Sequence, residues 1–294
     1  MEIYEKERLT RHLGILTQEQ QSVIEAAVVC GAGAGGAGGW AYAALARMGC
    51  RNFKLADPGV FDESNANRQY GCYHDTVGKN KAVAVAEELS RITPLAKIQV
   101  FEDGVTSGTM SEFLATGSVV IDGIDLYSLH SKKALYDSAR LANLPVFSSP
   151  VLGFGTAVAV FDPQRSPSFE EYFGPIPETR ESVAYRRYVE HLGMGYFGFR
   201  PRLNWPLYMR RVHEGCVPSI GTSCMLSGSF VAMAVSDWLL GTRNFPVVPH
   251  TSHIDLMQRK LVRTGRFRRA LLNLLSGLYL RWIDRDTSAG GSAS

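Results

Sequence analysis

The chain has 294 residues, of which 45% are hydrophobic and 20% charged, and it carries a net charge of +3 at pH 7. This is the composition of an ordinary globular protein with enough length for a sizeable core, and the charge is too small to argue for DNA or another nucleic-acid partner. The five cysteines are scattered with no C-x-x-C pair, which argues against a zinc ribbon or a thioredoxin-type site and fits a reducing compartment.

The opening segment, MEIYEKERLTRHLG, lacks the apolar stretch of a signal peptide, and no run approaches the length of a membrane span. The expectation is a cytoplasmic protein without an integral membrane segment. Residues 5–25 are polar with spaced apolar positions and read as a helical arm, with a capping-box start at TQEQ, Thr17 to Gln20. Strands and helices then alternate. AAVVCG is a strand, Gly36 to Met48 a helix and NFKLAD a strand. Val77 to Ile92 is a helix, KIQVF a strand, Gly108 to Ala115 a short helix and SVVID a strand. Leu129 to Ala142 is a helix, followed by the strands LPVFSS and FGTAVAVF. Such alternation implies an α/β fold: a doubly wound, Rossmann-like, mostly parallel sheet with helices on both faces.

The pattern breaks between about 162 and 215, a stretch rich in Pro, Arg, Tyr and Phe that is too long for a simple connection. SCMLSGSFVAMAVSDWLLG then reads as a buried helix. One domain is expected over 1–245, and 246–294 as a helical extension with a disordered tail. Arg266 to Ile283 forms a basic amphipathic pattern, read as a helix that docks on its own domain or a partner.

The glycines Gly33, Gly35, Gly36 and Gly38 spell G-x-G-G-x-G between a strand and a helix. A turn of this kind lets backbone N–H groups and the positive end of the helix approach a phosphate. Asp57 closes the next strand, where a carboxylate can take ribose hydroxyls. These features alone would favour an NAD-dependent enzyme. Asn65, Arg68 and Lys81 follow, however, and two cations with an amide suit a nucleoside triphosphate better. Asp122 and Asp125 lie at the end of the fourth strand, the ligand edge of such a sheet, where a carboxylate suits Mg²⁺.

The pieces ERLTRHL, GAGGAG, LARMGCRNFKLAD, ESNANRQ, VGKNKA and VVIDGID together resemble the ThiF/MoeB/HesA adenylating enzymes, relatives of the ubiquitin-activating enzymes. The resemblance covers roughly 7–161 and resumes near 215–241. It implies that Gly33 to Gly38 line an ATP site, that Asp57 binds the ribose, and that Asn65, Arg68 and Lys81 hold the phosphates. It further implies that Asp125 binds Mg²⁺ and that Arg11 reaches into the site of a second subunit in a homodimer. The implied reaction is adenylation of a carboxylate, with ATP and Mg²⁺ as cofactors. The acceptor is the C-terminus of a ubiquitin-like or sulfur-carrier protein, or of a peptide, and the aromatic and basic stretch from Phe169 to Arg211 would form its groove.

Three departures from the family pattern stand out. Gly59 replaces a second acidic residue after Asp57, Leu126 stands where Asn often follows Asp125, and the zinc cysteines are missing, so no zinc is expected. Some relatives pass the acyl group to a cysteine; Cys216, in HEGCVPS, is the candidate here, ahead of Cys72, while Cys30, Cys50 and Cys224 read as structural. Two other readings stay open: a dehydratase acting on a tRNA nucleoside carboxylate, and a non-catalytic ATP-binding subunit of a heterodimer.

Overall fold

The computed structural model describes residues 2–176 and 203–265. The arm is not one helix. It divides into α1 (Glu2–Glu7), a 3₁₀ turn (Thr10–His12) and α2 (Gln18–Ala26). Gly14, at φ +94°, turns the chain between them, and Thr17 starts α2 with the expected capping box. Buried Glu5 fastens the arm to the body by accepting the Thr93 hydroxyl at 2.8 Å, and Arg8, paired with Glu5 at 2.7 Å, donates to the Ala46 carbonyl at 2.9 Å.

The alternating segment gives β1 (Val28–Ala32), α3 (Gly36–Arg47), β2 (Asn52–Ala56), α4 (Lys81–Ile92) and β3 (Lys97–Phe101). It continues with α5 (Met110–Leu114), β4 (Val119–Asp122), α6 (Leu129–Leu141), β5 (Val146–Ser148), β6 (Val151–Leu152) and β7 (Gly155–Phe161). Helix α4 starts four residues later than the expected Val77, because Gly78 turns at φ +84° and Asn80 supplies the cap, accepting the Val83 N–H at 3.1 Å.

Among the described residues the sheet runs β3-β2-β1-β4-β5-β7-β8-β9, where β8 is Ser252–Asp255 and β9 is Lys260–Arg263, with β6 paired to β7. The strands β3, β2, β1, β4 and β5 are parallel, and from β7 onward the pairing is antiparallel. β1 is central, and its side chains alternate between two cores. Val29 joins Leu45, Phe53 and Val231 on one face, while Cys30 and Ala32 join Phe113, Leu135 and Phe161 on the other.

Two expectations change. The C-terminal part is not helical as far as it is described: Ser252–Asp255 and Lys260–Arg263 form β8 and β9, which extend the same sheet beyond β7. The basic segment 266–283 and the tail lie outside the described residues. The irregular stretch after 162 contains α7 (Phe169–Phe173) and α8 (Trp205–His213), and 177–202 lies outside the described residues. The buried helix appears as α9 (Gly221–Leu239), which lies across α3. Gly228 makes this possible, since a Cβ there would stand 2.4 Å from the Trp40 Cβ.

Candidate active site

The C-terminal ends of β1, β2 and β4 open into one cleft of about 740 Å³. Its floor is the glycine turn. Gly33 takes φ +96°, and a Cβ on it would stand 2.2 Å from the Gly123 carbonyl oxygen. Gly38 meets Gly33 itself, with 2.1 Å from its would-be Cβ to the Gly33 oxygen. Both are glycine because backbone crosses backbone there. Buried Tyr42 donates its hydroxyl to the same Gly33 oxygen at 2.8 Å. The N-terminus of α3, capped by Gly35, has no side-chain cap, so the N–H groups of its first turn are available to an anion.

Asp57 ties this turn to β2, accepting the Ala34 N–H at 2.7 Å on one oxygen and the Gly59 N–H at 2.8 Å on the other. Each oxygen keeps a lone pair for a further donor. Asn65, Arg68 and Lys81 line the same cleft from the loop and helix after β2. Arg68 is held within its own loop, donating to the Ser64 carbonyl at 2.8 Å and the Asn67 side chain at 2.9 Å. Lys81 lies 6.0 Å from the Phe61 ring and has no carboxylate partner among the described residues. The Asn65 Oδ1 and Gln69 Oε1 atoms are buried at the cleft with no hydrogen-bond partner among the described residues. Such atoms are costly unless something fills the space before them. The anion-facing helix end, the two cations, the half-used carboxylate and the orphaned amides fit a bound nucleotide.

The two carboxylates after β4 differ. Asp122 is buried and saturated by Lys132, Tyr136, Ser148 and the Ile124 N–H, which removes it as a candidate metal ligand. Asp125 is exposed in the cleft. One oxygen accepts the Tyr127 N–H at 2.8 Å, and the other has no hydrogen bond among the described residues. The cap of α6 is Ser128, so Asp125 is not occupied as a helix cap. One carboxylate beside a phosphate site is the donor set Mg²⁺ takes, with the phosphates and water completing it. Among the described residues no group of three or more His, Cys, Asp or Glu side chains is placed to hold a metal.

Arg11 is exposed on the 3₁₀ turn and is not part of the cleft of its own chain. Cys216 follows α8, is exposed and lines the cleft, whereas burial pushes Cys30 and Cys50 up to about 12 and raises Cys72. The acceptor groove expected from Phe169 onward is corrected at its start: Phe169 and Tyr172 are buried in the core against Tyr136 and Phe161. Tyr208, near the far end, reaches the cleft, and so does Val212 just beyond the stretch.

Sequence reasoning assigned no role to Gln69, although it stands within the quoted ESNANRQ. Cys224, read as structural, is buried behind Gly36, whereas Lys132 received no reading, because nothing local marks a residue whose partner lies ten positions away on another element.

A family model described as ThiF family matches residues 8–271. The chain belongs to the ThiF family. Among curated proteins, the tRNA threonylcarbamoyladenosine dehydratase of Escherichia coli K12 is 36% identical over 122 residues, covering 41% of this chain and 45% of that protein. The adenylyltransferase and sulfurtransferase MOCS3 of Dictyostelium discoideum is 26% identical over 183 residues, covering 62% of this chain and 42% of that protein. The match thus spans less than half the length of either relative. Among solved structures, E. coli MccB with MccA-N7isoASN superposes with a TM-score of 0.63 at 14% identity, over 84% of this chain and 66% of that one. This last likeness concerns the fold. No described helix of this ThiF protein is long and apolar enough to cross a membrane.

Proposed function

We propose that this ThiF chain is an ATP-dependent adenylyltransferase that activates a carboxylate as an acyl-adenylate. The observation that carries the reading is convergence. The glycine turn after β1, Asp57 with the loop and helix start after β2 that carry Asn65, Arg68 and Lys81, and Asp125 after β4 all line one cleft. The carboxylate oxygen attacks the α-phosphorus of ATP; the new O–P bond forms as the bond to the β-phosphate bridging oxygen breaks, and pyrophosphate leaves with that electron pair. The protein's part is to align the two reactants and spread the charge. In this scheme the first turn of α3 and Gly33 to Gly38 seat the phosphates, Asp57 holds the ribose, and Asn65, Arg68 and Lys81 face the phosphate oxygens. Asp125 would hold Mg²⁺, which would supply further charge neutralisation at the phosphates.

The acceptor in this proposal is the C-terminus of a sulfur-carrier, ubiquitin-like or peptide partner. Similarity to the Dictyostelium adenylyltransferase and sulfurtransferase supports a sulfur-carrier acceptor. A homodimer would bring the partner's Arg11 to the cleft, which the exposed position of this residue permits. Cys216, exposed in the same cleft, is the candidate thiol for a later acyl transfer. The adenylating unit is proposed to run to residue 265, since β8 and β9 complete its sheet. A second reading keeps the chemistry and changes the acceptor to a carboxylate on a tRNA nucleoside; the 36% identity with the E. coli dehydratase favours it.

Exchange of labelled pyrophosphate into ATP, with peptide, carrier-protein and tRNA carboxylates offered in turn, tests both. Exchange must appear with one of them and disappear in Asp125→Ala and Arg68→Ala. Undiminished exchange in those variants would sink the site assignment, and no exchange together with tight ATP binding would indicate a non-catalytic subunit.

A further inference from the structure

The adenylation scheme leaves one buried ion pair beside the cleft without a task. Asp122 closes β4, Lys132 stands in the first turn of α6, and they are 5% and 7% exposed. Lys132 Nζ donates to both oxygens of Asp122 at 2.8 Å. Tyr136 adds its hydroxyl at 2.7 Å and Ser148 its hydroxyl at 3.2 Å. Burying such a pair is costly, and apolar residues of the same volume commonly stabilise a core as well or better. Stability alone is therefore a weak reason for it.

The remaining donor shows another use. The Ile124 N–H bonds Asp122 at 3.1 Å, and Ile124 is the residue before Asp125. The same short turn is fixed from the other side. Gly123 donates its N–H to the Ala32 carbonyl at 2.7 Å, and its carbonyl oxygen fills the space that a Cβ on Gly33 would take. Asp122 thus holds the backbone that presents Asp125, and Lys132 holds Asp122. Outer partners of this kind orient a ligating carboxylate and tune its affinity.

We propose that Lys132, acting through Asp122, is a positioning residue that sets the place of Asp125 and with it the Mg²⁺ dependence of nucleotide binding. The inference rests on the reading of Asp125 as the Mg²⁺ residue. It makes Lys132 an orienting cation rather than a phosphate ligand, although it lines the same cleft.

The test is calorimetric titration of ATP with and without Mg²⁺ into the full chain, with AMP as a metal-independent control and thermal unfolding as a check on the fold. The readout is the ratio of the two ATP dissociation constants. In Lys132→Met this ratio falls about five-fold or more while AMP affinity stays within about two-fold of wild type; Lys132→Arg recovers part of it, and Tyr136→Phe lowers it by about two-fold. An unchanged ratio in folded Lys132→Met overturns the proposal, as does a loss of AMP and ATP affinity by the same factor. If Lys132→Met does not fold, an unchanged ratio in both Lys132→Arg and Tyr136→Phe overturns it. A wild type whose ATP affinity ignores Mg²⁺ overturns it as well. The adenylation reading fails separately, by absence of pyrophosphate exchange in a wild type whose ratio responds as stated.

Discussion

The Asp57 carboxylate accepts the Ala34 N–H at 2.7 Å, so the residue closing β2 fastens the turn that leaves β1. Its second oxygen does the same for Gly59 at 2.8 Å. Asp57→Ala strips two backbone N–H groups of a charged acceptor. It is expected to cost about 2–4 kcal/mol of stability and to weaken ATP binding at least ten-fold; urea unfolding and calorimetry check the two effects.

The glycines of the turn serve two purposes, and substitution separates them. A Cβ on Gly38 meets the Gly33 backbone oxygen at 2.1 Å, so Gly38→Ala must move backbone and is expected to lose about 3 kcal/mol or more. A Cβ on Gly35 meets only the Gln69 side chain, at 3.8 Å, so Gly35→Ala should fold with a loss of about 1 kcal/mol or less. It nevertheless places a methyl group at the cleft and should weaken nucleotide binding. Denaturation midpoints beside ATP titrations distinguish the pair, and equal stability losses would contradict it.

Gly59 needs no glycine for its backbone, since it is not among the residues at positive φ. A Cβ there lies 3.1 Å from Asp57 Oδ1 and 3.5 Å from Lys81 Nζ, in the space between a carboxylate and an ammonium. Gly59→Asp should pair with Lys81 and crowd Asp57, weakening ATP binding about ten-fold with little change in Tm. Tighter ATP binding in this variant would show that the space is not used by the nucleotide.

Thiol labelling should discriminate sharply among the five cysteines. Cys216 is exposed, whereas Cys30 and Cys50 are buried with thiols pushed up to about 12 by desolvation. At pH 8 a maleimide should modify Cys216 first, as read by peptide mass spectrometry, and bound ATP should slow that reaction because Cys216 lines the cleft. Labelling that is indifferent to saturating ATP would place the nucleotide away from Cys216.

His253 sets a pH dependence on stability. It is 1% exposed on β8, and burial pushes its pKa down to about 3. The unfolded chain binds its proton near pH 6.5 and the folded chain does not, so this stability is present above that pH and is lost as the pH falls toward 3. The slope is at most about 1.4 kcal/mol per pH unit for this group. Urea unfolding at pH 7 and pH 5 should show a smaller difference for His253→Phe than for the wild type.

The parallel half of the sheet was legible because its strands are short apolar or alternating runs interleaved with helical segments; KIQVF is β3 residue for residue. The antiparallel extension was not. In β8 the buried side chains are His253 and Asp255, so the usual rule that apolar positions point inward gives the opposite pattern. Asn65, Arg68 and Lys81, proposed to face the phosphates, were readable from motifs within short stretches of sequence. The Asp122–Lys132 pair and the Cys224 thiol, 2.9 Å from a would-be Cβ on Gly36, depend on contacts between elements and leave no local mark.

Helix α9 carries a consequence for the order of events in synthesis. Gly221 starts it where a Cβ would stand 2.6 Å from the Asn67 carbonyl, Cys224 backs the glycine turn, and Gly228 rests on Trp40. Elements delivered within the first quarter of the chain are thus completed by one delivered after residue 220. A nascent chain stopped before α9 carries every motif of the cleft but lacks its rear wall, so nucleotide binding should mature only once translation has passed Leu239.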